Sequence, residues 1–390
     1  MYRIAIDVGG TFTDCLVLDE STGDVRQFKA PTTPSDPSVG LMDALEKAAA
    51  AYGFEVAGFL AHVGLLIHGT TLATNTLIKK DGAMTGMLTT RNFADVIEIR
   101  RGYKNVRTSM YNVFVPPYEP LVPRRRRLEV TERSTYEGEV VTALDEGDVR
   151  RAAEQLRDDG VESVAICYLH SYAAPENERR TEEIVREILP DAHVATSHDI
   201  LPVWREWERF STTVVSAYVG PVVERYLEAL ERRLHENDFA GTLLMMLSDG
   251  LVETVERCRQ RAVYLIGSGP AAAPAAAIYA GETAGHRNVL SFDMGGTSID
   301  IGVIMDAEVP TRTESWAGDE RVGIKMVDIH SAGAGGGSIA WIDSLGLLRV
   351  GPQSAGADPG PACYGKGGTL PTTTDADVLL GYVDPDYFLG

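Results

Sequence analysis

The sequence predicts an α/β fold built from ribonuclease-H-like lobes, with the second lobe incomplete. Three observations predict it. Strand and helix patterns alternate through the first half in the order βββαβαβ. One turn motif occurs twice, near the start and far downstream. Too little chain follows the second copy to build a lobe equal to the first.

The first copy reads Asp7-Val8-Gly9-Gly10-Thr11-Phe12-Thr13-Asp14, and the second reads Asp293-Met294-Gly295-Gly296-Thr297-Ser298-Ile299-Asp300. Each lies between β-branched or apolar runs, so each reads as strand, tight turn, strand. A turn without Cβ atoms brings backbone N–H groups close to an anion, and the threonine hydroxyl adds a donor. The aspartate before each turn is placed to hold a hydrated Mg²⁺ beside phosphates. Both copies keep Asp, Gly, Gly, Thr and the later Asp at the same offsets. Two lobes gripping one nucleotide from opposite sides would produce that repetition, and two ordinary β-hairpins are the plainer alternative.

The remaining elements follow in order. Residues 3–7, 14–18 and 25–29 read as three antiparallel strands, and 37–51 has the helical spacing of apolar residues. Residues 63–68 form a buried strand and 71–79 a helix with Thr70 or Thr71 as its N-cap. Residues 83–88 are a further strand. From about 105 to 144, prolines, the run Arg124-Arg125-Arg126-Arg127 and an alternating stretch mark an inserted β-rich excursion. Helices are expected over 148–158 and 176–188, and strands over 163–169 and 192–196. A long helical tract over 204–234 is expected to break near Gly220-Pro221 and to connect the lobes. A strand over 242–247 and an Ala-rich helix over 269–279 precede the second hairpin, which begins near Asn288. Beyond it lie a strand over 326–330 and the start of a helix over 377–381. The expected domains are an N-terminal lobe over 1–200, a connector over 201–287 and the opening of a second lobe over 288–390; a fragment or one part of a split protein is the simplest expectation, and a smaller modified lobe the alternative.

Composition narrows the function. Of 390 residues, 44% are hydrophobic and 24% charged, as in ordinary globular proteins. A net charge of −20 repels nucleic acid and anionic membranes, so neither is an expected partner. No run of about 18 apolar residues marks a membrane span. Asp7 interrupts the place where the apolar core of a secretory signal would continue. The four widely spaced cysteines form no metal pattern and fit reduced thiols in the cytoplasm.

Other segments have two readings each. His68-Gly69-Thr70-Thr71-Leu72-Ala73-Thr74-Asn75 ends a strand and opens a helix, a place that collects anions. His68 there either polarises a carbonyl or is a hydrogen-bonded core residue. Gly333-Ala334-Gly335-Gly336-Gly337-Ser338 is expected to press its backbone against phosphates or substrate, the alternative being a plain loop. For Asp328, His330, Cys363, Arg124–Arg127, Arg205 and Arg209 the structural reading outweighs the functional one.

These motifs, with Ser268-Gly269-Pro270 and the turn-rich stretch Ser354-Ala355-Gly356-Ala357-Asp358-Pro359-Gly360-Pro361-Ala362-Cys363-Tyr364-Gly365, occur in an order that resembles the A subunit of the hydantoinase/oxoprolinase family. That family is related to the acetone and acetophenone carboxylases, within the actin, heat-shock chaperone and sugar-kinase superfamily. The resemblance spans essentially the whole chain. It implies ATP and Mg²⁺ as cofactors, carbonyl-oxygen activation by phosphoryl transfer, a lactam or ketone substrate, and a hetero-oligomer with a hydantoinase B-type subunit. Carried onto this sequence, Asp7 and Asp293 organise Mg²⁺. Gly9, Gly10, Thr11, Thr13, Gly295, Gly296, Thr297, Gly335, Gly336 and Gly337 clamp the phosphates. His68, Thr70 and Thr71 lie near the transferred group.

The sequence also departs from the family. Its Gly-Gly-Ala-Gly-Pro segment, expected to touch adenosine, has no counterpart here, so weak ATP binding is expected of this chain alone. Ile299 stands where the first copy has Thr13, and Leu247-Ser248-Asp249-Gly250 stands where a Ser-Asn-Gly-Gly pattern is expected. The resemblance leaves two other functions open: a small-molecule kinase of the same superfamily, and a nucleotide-gated scaffold without catalysis.

Overall fold

A computed structural model describes residues 1–9, 12–33, 36–103, 111, 114, 117–356 and 358–386. Gly10 and Thr11, two of the expected phosphate-clamping residues, lie outside the described residues, as does part of the expected excursion over 105–144.

Strands β1 (Tyr2–Val8), β2 (Phe12–Asp19) and β3 (Val25–Pro31) form the expected antiparallel meander. Period-two alternation explains which face is buried. Ile4, Ile6 and Val8 are 2–3% exposed, while Arg3, Ala5 and Asp7 face the other way. Helix α1 (Pro37–Ala51) covers the buried face. Pro37 pre-sets its first turn, and the Asp36 carboxylate caps it by accepting from the Ser38 amide at 3.1 Å. Strand β4 (Val63–Thr70) runs parallel to β1, placing Val8 beside Thr70. Helix α2 (Leu72–Lys79) follows at once.

Strand β5 (Thr85–Thr90) exists but does not complete this sheet. It joins a second, all-parallel sheet with β6 (Arg127–Val130), β7 (Ser163–Cys167) and β8 (His193–Thr196), with helices α3 (Glu146–Asp158) and α4 (Glu176–Ile188) between them in sequence. All six residues of β5 are buried, as suits a parallel strand covered on both faces. The place beside β4 is taken instead by β9 (Thr242–Met246), edged by β10 (Val252–Thr254). The first sheet therefore runs β10-β9-β4-β1-β2-β3.

Helix α5 (Glu206–Glu236) is unbroken, contrary to the expected interruption at Gly220-Pro221. An interior proline costs about 3 kcal/mol in an isolated helix. Here residues 207–221 are all buried, so packing offsets the loss. Gly220 has another use. A Cβ there would fall 2.4 Å from His193 Nε2, so the glycine admits β8 against the helix.

The expected Ala-rich helix is divided, with a short turn over Ser268–Ala271 and then α6 (Ala273–Thr283). The second hairpin, β11 (Val289–Met294) and β12 (Ile299–Ile304), pairs antiparallel as the first does, and β13 (Ile329–Ala332) extends it. The two copies differ in cover. Leu290, Phe292 and Met294 stand where the first copy has Ile4, Ile6 and Val8, yet they are 70%, 67% and 48% exposed. Among the described residues β11 has no parallel neighbour corresponding to β4. Strands β14 (Ser338–Ile342) and β15 (Leu348–Ser354) and helix α7 (Thr373–Leu379) follow. Among the described residues no helix is long and apolar enough to cross a membrane.

Candidate functional site

The two motif turns close in the same way. Gly9 N–H donates to the Phe12 carbonyl at 3.0 Å, and Gly295 N–H donates to the Ser298 carbonyl at 3.0 Å. Those two amides are therefore spent within the turns. The amides of Gly296 and Thr297 enter no hydrogen bond among the described residues and remain as donors.

Asp7 lies directly across the hairpin from Asp14, whose carboxylate is held by Lys29 Nζ at 2.8 and 3.0 Å. Asp7 still reaches solvent, but the backbone at Gly69 and Gly269 packs beside it and strips part of its hydration. That partial burial, then the charges of Asp14 and Asp293, push its pKa up to about 6. Asp293 is near enough for its charge to be felt at Asp7, so the two motif carboxylates lie within electrostatic range of each other.

Two glycines make room for Asp7. A Cβ on Gly69 would lie 3.2 Å from Asp7 Oδ1, and one on Gly269 would lie 3.3 Å from the same oxygen. Segments far apart in sequence are clasped there. Ser268 Oγ donates to the Thr70 carbonyl at 2.9 Å, and Gly267 N–H donates to Thr74 Oγ1 at 3.0 Å. Neither Gly69 nor the Ser268-Gly269 pair was among the expected site residues. The signal was present, since both segments carry a glycine beside a hydroxyl residue.

Other expected residues sit elsewhere. His68 is fully buried: its Nε2 accepts from Tyr226 O–H at 2.7 Å, and its Nδ1 lies 3.3 Å from the Ile6 carbonyl. Burial pushes its pKa down to about 4, so the ring is neutral with both nitrogens engaged. This is the geometry of the hydrogen-bonded core reading. Thr13 is also buried, its hydroxyl 3.1 Å from that of Thr32, because strand parity places it with Cys15 and Val17 rather than with Asp14. Thr70 is buried and Thr71 half-buried. Thr70 Oγ1 accepts from the Leu72 amide at 3.2 Å. Thr71, at the N-cap position, makes no side-chain capping bond; its hydroxyl donates to the Val8 carbonyl at 3.3 Å.

Gly335, Gly336 and Gly337 press their backbone against the second turn. Gly336 N–H donates to the Gly295 carbonyl at 3.0 Å, and Gly337 N–H donates to the Gly296 carbonyl at 2.7 Å. A Cβ on Gly335 would fall 2.7 Å from the Gly295 oxygen. The expected close approach is present, but these amides brace the turn and are not left for phosphates.

The remaining candidates are structural. Arg209 is fully buried and donates to the Tyr168 carbonyl at 3.0 Å. Arg124 pairs with Asp95 at 2.6 Å and Arg312 with Asp328 at 3.3 Å. Partial burial and Asp375 push the Cys363 thiol up to about 11, away from reactivity. Among the described residues no cluster of three or more His, Cys, Asp or Glu is placed to hold a metal by protein ligands alone. Two carboxylates within electrostatic range of each other do fit Mg²⁺, which keeps several waters and completes its shell with phosphates.

The hydantoinase/oxoprolinase N-terminal-region model matches residues 3–189, and the hydantoinase/oxoprolinase model matches residues 209–390. The chain belongs to the hydantoinase/oxoprolinase family. This family member is 41% identical to caprolactamase subunit alpha of Pseudomonas jessenii, over 100% of this chain and 56% of that one. It is 36% identical to the acetophenone carboxylase gamma subunit of Aromatoleum aromaticum, over 99% of this chain and 54% of that one. The nucleotide-free structure of an ATP-dependent acetone carboxylase superposes with a TM-score of 0.85 at 28% identity, covering 99% of this chain and 56% of that one. The chain thus spans about half the length of these relatives, and its α/β architecture is theirs.

Proposed function

We propose that this chain is the nucleotide-handling part of an ATP-dependent enzyme that activates the carbonyl oxygen of a small cyclic amide. The observation that carries this reading is that Asp7 and Asp293, each leading into a turn closed by the same hydrogen bond, lie within electrostatic range of each other. The preference for an amide rests on the 41% identity to a caprolactamase subunit.

The division of labour follows from the chemistry of phosphoryl transfer, which needs positioning and charge neutralisation rather than a protein nucleophile. Mg²⁺-ATP, when bound, would supply the phosphoryl group and neutralise its developing charge. Asp7 and Asp293 would hold the hydrated cation. The amides of Gly296 and Thr297 would donate to phosphate oxygens, braced from behind by Gly336 and Gly337. Ser268 fixes the strand end that carries Thr70 and so keeps the backbone beside Asp7 in place. Relatives named as subunits support a second, hydantoinase B-type subunit as partner, and free thiols support a cytoplasmic setting.

Phosphate release from ATP tests the reading, with ε-caprolactam, 5-oxoproline and hydantoin compared against acetone or acetophenone plus bicarbonate. Stimulation by a cyclic amide is expected. Stimulation by ketone plus bicarbonate alone would move the chain to carboxylation, and a stable phosphorylated product would move it to the kinases.

A further inference from the structure

A chamber of about 670 Å³ opens beside the first turn. Its floor is the paired carboxyl ends of two parallel strands, Val8 and Gly9 of β1 and Thr70 of β4. Strands β2 and β3 leave β1 on one side, while β4 and β9 lie on the other. Strand order therefore reverses between β1 and β4. In open α/β sheets, ligands sit outside the carboxyl ends of the strands at such a point. Val8 and Asp7 point to opposite faces of β1, so the chamber and the Asp7 carboxylate meet only around the strand end that begins the turn.

The walls differ in chemistry. On the α2 side stand Thr71 and Asn75, linked by a hydrogen bond from Asn75 Nδ2 to Thr71 Oγ1 at 3.1 Å. On the α5 side stand Val222, Tyr226 and Ala229, with Leu72 adding apolar surface opposite. Tyr226 is held by its bond to His68, which makes that wall rigid and gives the buried histidine a purpose. The charged lining balances: Asp36 is paired with Arg233 at 2.9 Å and Arg225 with Glu162 at 4.0 Å, which leaves Lys79 and Asp81. The volume is that of a small-molecule site, and its lining mixes apolar surface with a few polar groups.

We propose that this chamber seats the carbonyl substrate, a small uncharged cyclic amide, and that Val222 and Ala229 on α5 set its size. The proposal rests on the function proposed above and extends it to the substrate. A lactam ring would lie against Leu72, Val222 and Ala229. Its amide edge would face Thr71 and Asn75, next to Gly9 at the end of β1.

Calorimetric binding to the chain loaded with Mg²⁺ and a non-hydrolysable ATP analogue tests this, with ε-caprolactam and 5-oxoproline as probes. The wild type should bind ε-caprolactam at least tenfold more tightly than the anionic 5-oxoproline. Ala229→Phe should weaken ε-caprolactam at least tenfold while nucleotide affinity changes less than twofold. Val222→Ala, which removes bulk and endangers folding less, should shift preference about threefold towards a lactam one methylene larger. Equal binding of ε-caprolactam by wild type and Ala229→Phe, or no binding of either probe to the nucleotide-loaded wild type, would overturn the chamber alone. Failure of the wild type to bind the nucleotide even weakly, at the highest concentration attainable, would overturn the functional reading and the chamber with it.

Discussion

Ser268 Oγ donates to the carbonyl oxygen of Thr70 at 2.9 Å, joining a single helical turn to the end of a central strand. Both residues are buried, so the bond has no water to replace it. Ser268→Ala leaves a buried carbonyl without that donor, which costs about 1–2 kcal/mol. The urea midpoint should fall accordingly, and Mg²⁺-nucleotide affinity should fall with it because Gly269 is no longer held beside Asp7.

Gly69 tests the same wall from the other side. Its Cβ would stand 3.2 Å from Asp7 Oδ1, tighter than ordinary contact. Gly69→Ala should displace the carboxylate and weaken Mg²⁺-nucleotide binding at least tenfold, with little change in the thermal midpoint. Calorimetry and a melting curve on one preparation separate the two effects.

How much of this was legible in the sequence depends on the range of the interaction. The twin turns were legible because their chemistry is local: Gly9 and Gly295 close the same bond to residues three further on. Helix α1 was legible to its first and last residue because its apolar residues repeat at helical spacing. The sheet that Thr85–Thr90 would join was not, since a strand pattern says nothing about which distant strand it pairs with. The glycine run at Gly335 signals a close approach, but its composition does not say to what, and the Gly295 carbonyl is the neighbour it meets. Strand parity, available in the sequence, buries Thr13 and decides for the core reading of His68: each alternates in phase with buried apolar residues of its own strand.

The histidine in the core makes a pH prediction. Its folded pKa of about 4 lies below the ordinary value of 6.5. Between those values the unfolded state binds more protons, so this contribution is complete above pH 6.5 and is lost as pH falls towards 4. The span corresponds to a loss on the order of 3 kcal/mol. Urea midpoints measured from pH 7 to pH 4 should fall, and His68→Gln should flatten part of that slope.

Asp7 behaves in the opposite sense. Its folded pKa of about 6 lies above the ordinary 3.8, so its ionisation opposes folding above pH 6, and that penalty fades as pH falls towards 3.8. Cation binding needs the ionised form. Mg²⁺-nucleotide affinity should therefore decline below about pH 6, approaching tenfold per pH unit. Asp7→Asn should raise the Mg²⁺-free melting temperature at pH 8 while losing the cation. A flat affinity between pH 7 and pH 5 would count against Asp7 as a ligand.

The most direct measurement of the central claim, that two equivalent turns grip one nucleotide, is Mg²⁺-ATP binding to wild type, Asp7→Ala, Asp293→Ala and the double variant, each first shown to be folded. One shared site predicts that either single substitution removes most of the affinity and that the double variant loses little more. Wild-type affinity in a folded Asp7→Ala or Asp293→Ala chain, or losses that simply add, would contradict it.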